Sequence, residues 1–269
     1  MEFFKNGVTA HRGNSAQLPE NTMLAFISAV SIEADWIEAD IRQTAEGKLI
    51  VLHDDDTKRL ANRNLSIKNV TYAELEAIDI AYQFRFTNQL TIEQCPKLPV
   101  PLLSDVINLM KSQKLTKSQH FTRLSIHPKV DCIDKVIQLI EDMNAMIWVG
   151  FNDSNLRNLK QVKAWNPEIS AFWDRPADSD IDDDIEMARE FGVESIIIQH
   201  DGITSPKVKS VHSAGLEVGA WTVNDLSTME NLLELGVDRI YTDCPIDLLV
   251  IKSQSSPLGE NLLNPSQQL

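Results

Sequence analysis

Glycine is scarce: this 269-residue chain has 10, against a typical share of about 7%. Neither a GxGxxG nor a GxxxxGKS/T pattern occurs, which excludes a glycine-rich phosphate cradle. Any phosphate must then be held by side chains or a metal. Cysteine is sparse too. Cys95, Cys132 and Cys244 are odd in number, widely spaced and free of any CxxC pair, so neither a disulfide framework nor a structural zinc site is expected. Basic residues are outnumbered, 25 Lys and Arg against 39 Asp and Glu, for a formal charge of -14. With a pI near 4.8, the chain lacks the basic face that nucleic acid or an anionic membrane surface requires. Long apolar runs are also missing. The longest candidate, 145–151, is interrupted by Gly150 and falls far short of the ~18 residues of a membrane span. The start, Met1-Glu2-Phe3-Phe4-Lys5, runs directly into a strand-like Val8-Thr9-Ala10 and leaves no room for a cleavable leader. A cytoplasmic protein is the expectation, unless a longer precursor is trimmed.

What is present is a 43% apolar, 24% charged chain long enough for one large α/β barrel or two ordinary domains. Short β-type runs alternate with helical patterns, which predicts a parallel α/β architecture. Eight strands can be placed, at 7–11, 36–41, 123–127, 145–151, 169–173, 194–199, 216–221 and 238–243. Between them, Ile133, Val136, Ile137 and Ile140 follow helical spacing behind an Asp131 N-cap. Leu226, Met229 and Leu233 do the same behind Asp225, with Gly236 where a left-handed helix end is expected. The acidic run 178–184 reads as a solvated helix start. Eight strand-helix units in about 250 residues match a (β/α)8 TIM barrel.

A ninth run, Leu49 to His53, follows Asp40 across a turn near Glu46-Gly47. A hairpin is the economical reading, and a turn centred there pairs residues whose numbers sum to about 92, which sets His53 opposite Ala39. Residues 54 to about 100 break the repeat and predict a small inserted subdomain after the hairpin. The rest of 1–252 is one catalytic domain, and 253–269 is a polar tail.

In such a barrel, reactive groups sit at the C-terminal ends of the strands. The first strand ends in His11-Arg12-Gly13, the second carries Glu38-Ala39-Asp40, and the hairpin return ends in His53-Asp54. Glu38 and Asp40 are two apart and share one face of their strand. Two inward carboxylates repel unless a cation lies between them, and oxygen ligands favour Mg²⁺, Ca²⁺ or Mn²⁺. Singly, an ExD pair is a solvated strand face and a His-Arg is a salt-bridge anchor. Together they offer a proton acceptor, a proton donor, a fork for phosphate oxygens and a metal, the set for metal-assisted phosphoryl transfer.

These residues resemble the glycerophosphodiester phosphodiesterase family. The likeness is dense in His11-Arg12-Gly13, Leu18-Pro19-Glu20-Asn21-Thr22, Ala25-Phe26, Ile37-Glu38-Ala39-Asp40, Thr44, Gly47 and His53-Asp54. It continues through Thr71-Tyr72-Ala73-Glu74-Leu75, Val100 to Val106, Ala220-Trp221-Thr222-Val223-Asn224 and Gly236 to Pro245, and is weak only in the middle strands. The resemblance implies a metal-dependent hydrolase that releases glycerol 3-phosphate and an alcohol from a small-molecule glycerophosphodiester. It implies His11 and His53 as the acid-base pair, Arg12 on a phosphate oxygen, Glu38 and Asp40 on one divalent cation, and Trp221 as an apolar wall. At the start of the first helix, Asn21 or Thr22 reads as the cap, and Glu20 also suits the positive end of the helix dipole.

There is one departure. Where the family reads roughly Ile-Glu-x-Lys, this chain reads Ile126-His127-Pro128-Lys129, so His127 takes the place of a third metal-binding glutamate. Lys129 is retained for phosphate. The expected ion is Mg²⁺ or Ca²⁺; a coordinating imidazole would shift preference from Ca²⁺ toward Mn²⁺, Zn²⁺ or Fe²⁺, and the alternative is a weakened metal site. The alternatives are a member that binds phosphodiester or metal without turning over, a sugar isomerase on the same barrel, and an enzyme acting on intact lipid with Tyr82, Phe84 and Phe86 at its rim. Homo-oligomerisation stays open.

Overall fold

The computed structural model describes residues 7–113 and 120–255. The N-terminal residues that argued against a leader, and residues 256–269 of the polar tail, lie outside it. No helix among the described residues is long and apolar enough to cross a membrane.

Eight parallel strands close into a barrel: β1 Gly7–His11, β2 Trp36–Gln43, β4 Arg123–Pro128, β5 Val149–Asp153, β6 Ser170–Arg175, β7 Ser195–Gln199, β8 Glu217–Trp221 and β9 Arg239–Thr242. The TIM-barrel expectation holds. Closure comes from β1, which pairs with β9 on one side and with the start of β2 on the other. The ninth strand, β3 (Leu49–Val51), lies outside the ring and runs antiparallel to the end of β2. Ile41 pairs with Val51 and Gln43 with Leu49, so the register sums to 92 as the turn predicts. The Leu52 amide extends it by donating to the Asp40 carbonyl, 2.9 Å. Thus β2 borders β1 along its first half and β3 along its second. Gly47, at φ +88°, makes the turn between them.

Helices α1 (Met23–Ser31), α4 (Leu103–Ser112), α5 (Ile133–Asp142), α6 (Leu156–Trp165), α7 (Ile181–Phe191), α8 (Ser205–Ser213), α9 (Leu226–Glu234) and α10 (Pro245–Ser255) pack around the ring. Their apolar faces bury Phe26, Val106, Val136, Leu159, Ala188, Val211 and Leu232 against the outward side chains of the strands. Inside the ring, Trp36, Phe172, Ile197 and Tyr241 form a second apolar group. Arg239, fully buried, stacks over Phe172 at 4.3 Å and Trp36 at 5.2 Å. The barrel is therefore filled below its mouth, and chemistry is confined to the C-terminal rim.

Three local expectations need correction. The fifth strand begins at Val149, not Ala145, because Met146–Trp148 form a 3-10 turn closed by the Trp148 amide on the Ala145 carbonyl. The N-cap of α5 is Cys132 rather than Asp131. The acidic run at 178–184 does start a helix, with Asp180 capping the amides of Asp182 and Asp183. Asp184, however, is buried against Arg175 Nε at 2.8 Å instead of solvated.

Residues 54–100 contain a 3-10 turn at Ile67–Asn69 and two short helices, α2 (Tyr72–Glu76) and α3 (Tyr82–Thr87). They bury their own apolar group, including Leu60, Ile67, Leu75, Ile80 and Val100, against Ile50 and Leu52 of the hairpin return. Tyr82 and Phe86 are exposed, and the hollow they line shares no residue with the barrel mouth. An apolar rim around the mouth is not built from them.

Candidate active site

The ends of β1, β2, β4, β5, β6 and β8 surround a cavity of about 510 Å³ that His11, Arg12, Glu38, His53, His127 and Lys129 line together with Trp221. Each arrives by a simple local rule. Glu38 and Asp40 alternate with Ala39 on β2 and turn inward, where both are almost wholly buried. Asp40 pairs across the ladder with His127, which brings the β4 imidazole beside the β2 carboxylates. His53 follows from the hairpin register. Arg12 and Gly13 turn the chain off β1 at φ +58° and +86°. Glycine is required there, because a Cβ would lie 2.7 Å from the Ala25 Cβ and 2.8 Å from its carbonyl carbon.

Charge organises the site into three groups. His11 Nδ1 meets Asp243 Oδ1 at 2.8 Å, and Ser15 Oγ and Asn224 Nδ2 donate to the same carboxylate. His53 Nδ1 meets Asp54 Oδ1 at 2.7 Å, and a chain of ion pairs continues from Asp54 through Arg59 and Glu20 to Arg12. Between them, Glu38 Oε1, Asp40 Oδ1 and His127 Nδ1 converge, with Nδ1 3.2 Å from Glu38 and 3.8 Å from Asp40. Glu38, Asp40 and His127 present donor atoms within 4.8 Å of one another.

This concentration of carboxylates recruits positive charge. Burial opposes ionisation of Asp40, but Lys129 at 3.0 Å and Arg12 at 3.1 Å outweigh it and hold the carboxyl far below its usual range. Burial also works against an imidazolium at His11, yet the Asp243 hydrogen bond and the Glu38 charge overcome it and raise its pKa. His127 is raised likewise against burial, chiefly by its Glu38 contact. Burial pushes the Asp174 carboxyl up to about 6.

All eight residues singled out from the sequence thus meet at one mouth. Arg12 is engaged by Glu20 and Asp40, so Glu20 reaches the site through an arginine rather than by touching the cavity. Trp221 is 36% exposed, and its indole donates to the Arg175 carbonyl at 3.2 Å. The sequence assigns no role to Asp243, Asp54 or Asp174, and offers Asn21 only as a helix cap. Asn21 donates to Asp40 Oδ2 at 2.8 Å, and its φ of +55° explains an asparagine in Pro-Glu-Asn-Thr better than capping does. The cap is Thr22, whose Oγ1 accepts from the Ala25 amide.

The His11–Asp243 pair predicts a pH effect. The carboxylate favours the imidazolium, so Asp243→Asn lowers the His11 pKa, and whichever limb of the kcat/KM profile reports His11 moves to lower pH. A pH-rate series on both proteins checks this. Two unmoved limbs would detach Asp243 from His11.

A model of the glycerophosphoryl diester phosphodiesterase family matches residues 11–247. A glycerophosphodiester phosphodiesterase of Caldanaerobacter subterraneus subsp. tengcongensis is 28% identical over 249 residues, covering 91% of this chain and 97% of that protein. One from Bacillus altitudinis is 28% identical over 254 residues, covering 92% and 98%. Among solved structures, an Oleispira antarctica phosphodiesterase in complex with the product sn-glycerol-3-phosphate superposes with a TM-score of 0.78 at 24% identity, covering 93% of this chain and 98% of that one. A glycerophosphodiester phosphodiesterase of Parabacteroides distasonis gives 0.74 at 21%, covering 94% and 100%. At these identities the solved structures speak for the fold.

Proposed function

The chain belongs to the glycerophosphoryl diester phosphodiesterase family and is a phosphoric diester hydrolase, and from that premise we propose that it cleaves glycerophosphodiesters to glycerol 3-phosphate and an alcohol by paired-histidine catalysis beside a divalent cation. The observation that carries this reading is the shared cavity: His11 and His53 line it together with the Glu38 and His127 donors. Residues 1–252 act as the catalytic unit, with the insertion at about 54–100 contributing Arg59 to the network behind His53.

The donor set fits a cation. Asp40 Oδ1 is buried and accepts no hydrogen bond, although the Lys129 ammonium is 3.0 Å away, and it points among the Glu38 and His127 donor atoms. Glu38, Asp40 and His127 would hold the ion. When bound, it polarises a phosphoryl oxygen and neutralises developing charge. With one imidazole among the ligands, Mn²⁺ or Zn²⁺ suits the set better than Ca²⁺.

The protein's own groups do the rest. Each catalytic histidine has Nδ1 engaged by a carboxylate, so Nε2 is the nitrogen left to exchange a proton with substrate. One takes the proton of the attacking hydroxyl and the other returns one to the leaving alkoxide; water as nucleophile gives glycerol 3-phosphate directly, whereas the neighbouring glycerol hydroxyl gives a cyclic phosphate that water then opens with the same two groups in exchanged roles. Arg12 and Lys129 bind phosphate oxygens, and Trp221 walls the glycerol or alcohol portion. The test is release of glycerol 3-phosphate from diesters of choline, ethanolamine, inositol and glycerol, with and without chelator. Release from at least one diester supports the reading. Binding without release across the panel would favour the non-hydrolysing alternative that the His127 substitution raises.

A further inference from the structure

The two nitrogens of His127 share the Lys129 ammonium, 3.1 Å from Nδ1 and 3.2 Å from Nε2, but otherwise face different neighbours. Nδ1 looks toward Glu38 Oε1 at 3.2 Å and Asp40 Oδ1 at 3.8 Å, whereas Nε2 lies 4.0 Å from Asp174 Oδ2. Asp174 stands near the end of β6, two strands from His127, and is only 13% exposed. It is held from behind. Asn152 Nδ2 on β5 donates to Asp174 Oδ2 at 3.1 Å, and Ser125 Oγ on β4 donates to Asn152 Oδ1 at 2.8 Å. Ser125 is two residues before His127 on the same strand, so one face of β4 supplies both the ring and the far end of the chain that fixes Asp174.

We propose that Asp174 is a positioning residue that makes His127 an Nδ1 ligand of the divalent cation, by accepting a hydrogen bond from the N–H that the neutral imidazole carries on Nε2. The proposal rests on the cation reading above and deepens it. A metal-bound imidazole must be neutral, and which nitrogen coordinates is set by the partner of the other. Nδ1 faces the carboxylate ligands, so the N–H belongs on Nε2 and needs an acceptor. The Lys129 ammonium, 3.2 Å from Nε2, is donor-only and cannot serve. Asp174 can, since one bridging water or about 1 Å of side-chain movement turns the 4.0 Å separation into a hydrogen bond.

The same geometry accounts for the departure from the Ile-Glu-x-Lys pattern. Replacing a glutamate by His127 removes one negative charge from the ligand shell. Asp174 restores that charge from β6, one position farther from the ion and behind the new ligand. His127 and Asp174 therefore work as a pair, and the value of Asp174 depends on a histidine being present at 127.

A double-mutant cycle tests this with Mn²⁺ itself as the probe. Chelator-treated full-length protein, Asp174→Asn, His127→Glu and the double variant are titrated with Mn²⁺ by calorimetry, and apo thermal unfolding of each verifies the fold. Asp174→Asn is expected to weaken Mn²⁺ binding by about 10–100-fold. In the His127→Glu background the same change should leave affinity within about threefold or improve it, because a carboxylate ligand has no N–H to orient. In the Zn²⁺-loaded protein, ¹⁵N spectra of His127 should show Nδ1 coordinated and Nε2 protonated. Equal losses on both backgrounds, or coordination through Nε2, would overturn the Asp174 assignment while leaving the cation in place. Absence of any Mn²⁺ or Zn²⁺ binding to the unsubstituted protein would remove the cation reading and this pairing with it.

Discussion

Alanine at either His11 or His53 is expected to reduce turnover of a glycerophosphodiester by about 10²–10⁴-fold, the usual cost of one acid-base group. That is about 3–5 kcal/mol of transition-state stabilisation at 1.36 kcal/mol per factor of ten. The two substitutions should differ in their structural consequences. His11 is partly buried, at 19% side-chain exposure, and its loss leaves Asp243 with Ser15 and Asn224 alone. His53 is more open at 35%, and Asp54 keeps its ion pair with Arg59 when the ring is gone. His53→Ala should therefore keep the wild-type unfolding midpoint and lose only rate. If the two histidines act in one concerted proton transfer, the double variant should be little slower than either single one. Steady-state kinetics with a denaturation curve on each protein checks both points, and variants that keep near-wild-type rates would eliminate the paired-histidine mechanism.

Chelation should abolish most of the activity, by about 10²-fold or more, and added Mn²⁺ should restore it, because charge stabilisation by a bound ion contributes several kcal/mol to such a transition state. Asp40→Ala should produce the same loss with no rescue by metal. Its effect reaches further than the cation. Asp40 ties down Arg12, Lys129 and Asn21 at 3.1, 3.0 and 2.8 Å. Removing one partner of a buried ion pair strands the other and destabilises by about 3–5 kcal/mol, so the unfolding midpoint should fall with the activity. Full activity in the presence of a strong chelator, after exhaustive dialysis, would dispose of the metal requirement.

Much of this site was readable from short-range rules, and the parts that were not share a cause. The inward pairing of Glu38 and Asp40 follows from strand alternation, and the placement of His53 follows from a turn whose centre fixes every pair of its hairpin. Both depend on residues close in sequence. Asp243 and Asp174 are not legible because only the tertiary fold brings their partners to them: β1 carries His11 to the β9 seam, and β4 and β6 flank β5 with His127 and Asp174. A signal was available even so: each is an acidic residue near the end of an apolar strand run, the place where a barrel carries its chemistry. Sequence starts the fifth strand too early because Ala145 to Trp148 is as apolar as a strand, and hydrophobicity alone does not separate a 3-10 turn from extended chain. Asp184 misled for the opposite reason. A run of acids reads as solvated, and only the fold supplies the Arg175 that buries one of them.

The seam between β1 and β9 sets the order in which function can appear during folding. His11 takes its carboxylate partner from Asp243, 232 residues later, and β1 finds its second neighbour only when β9 docks. Contacts of such separation close late because they carry the largest loop entropy. A chain emerging from the ribosome carries His11, Glu38, Asp40 and His53 early, yet the first histidine acquires its orienting charge only when the ninth strand arrives. On the paired-histidine proposal, activity is coupled to completion of the barrel, and a truncated product ending before β9 would carry all the proposed metal ligands without the His11–Asp243 pair.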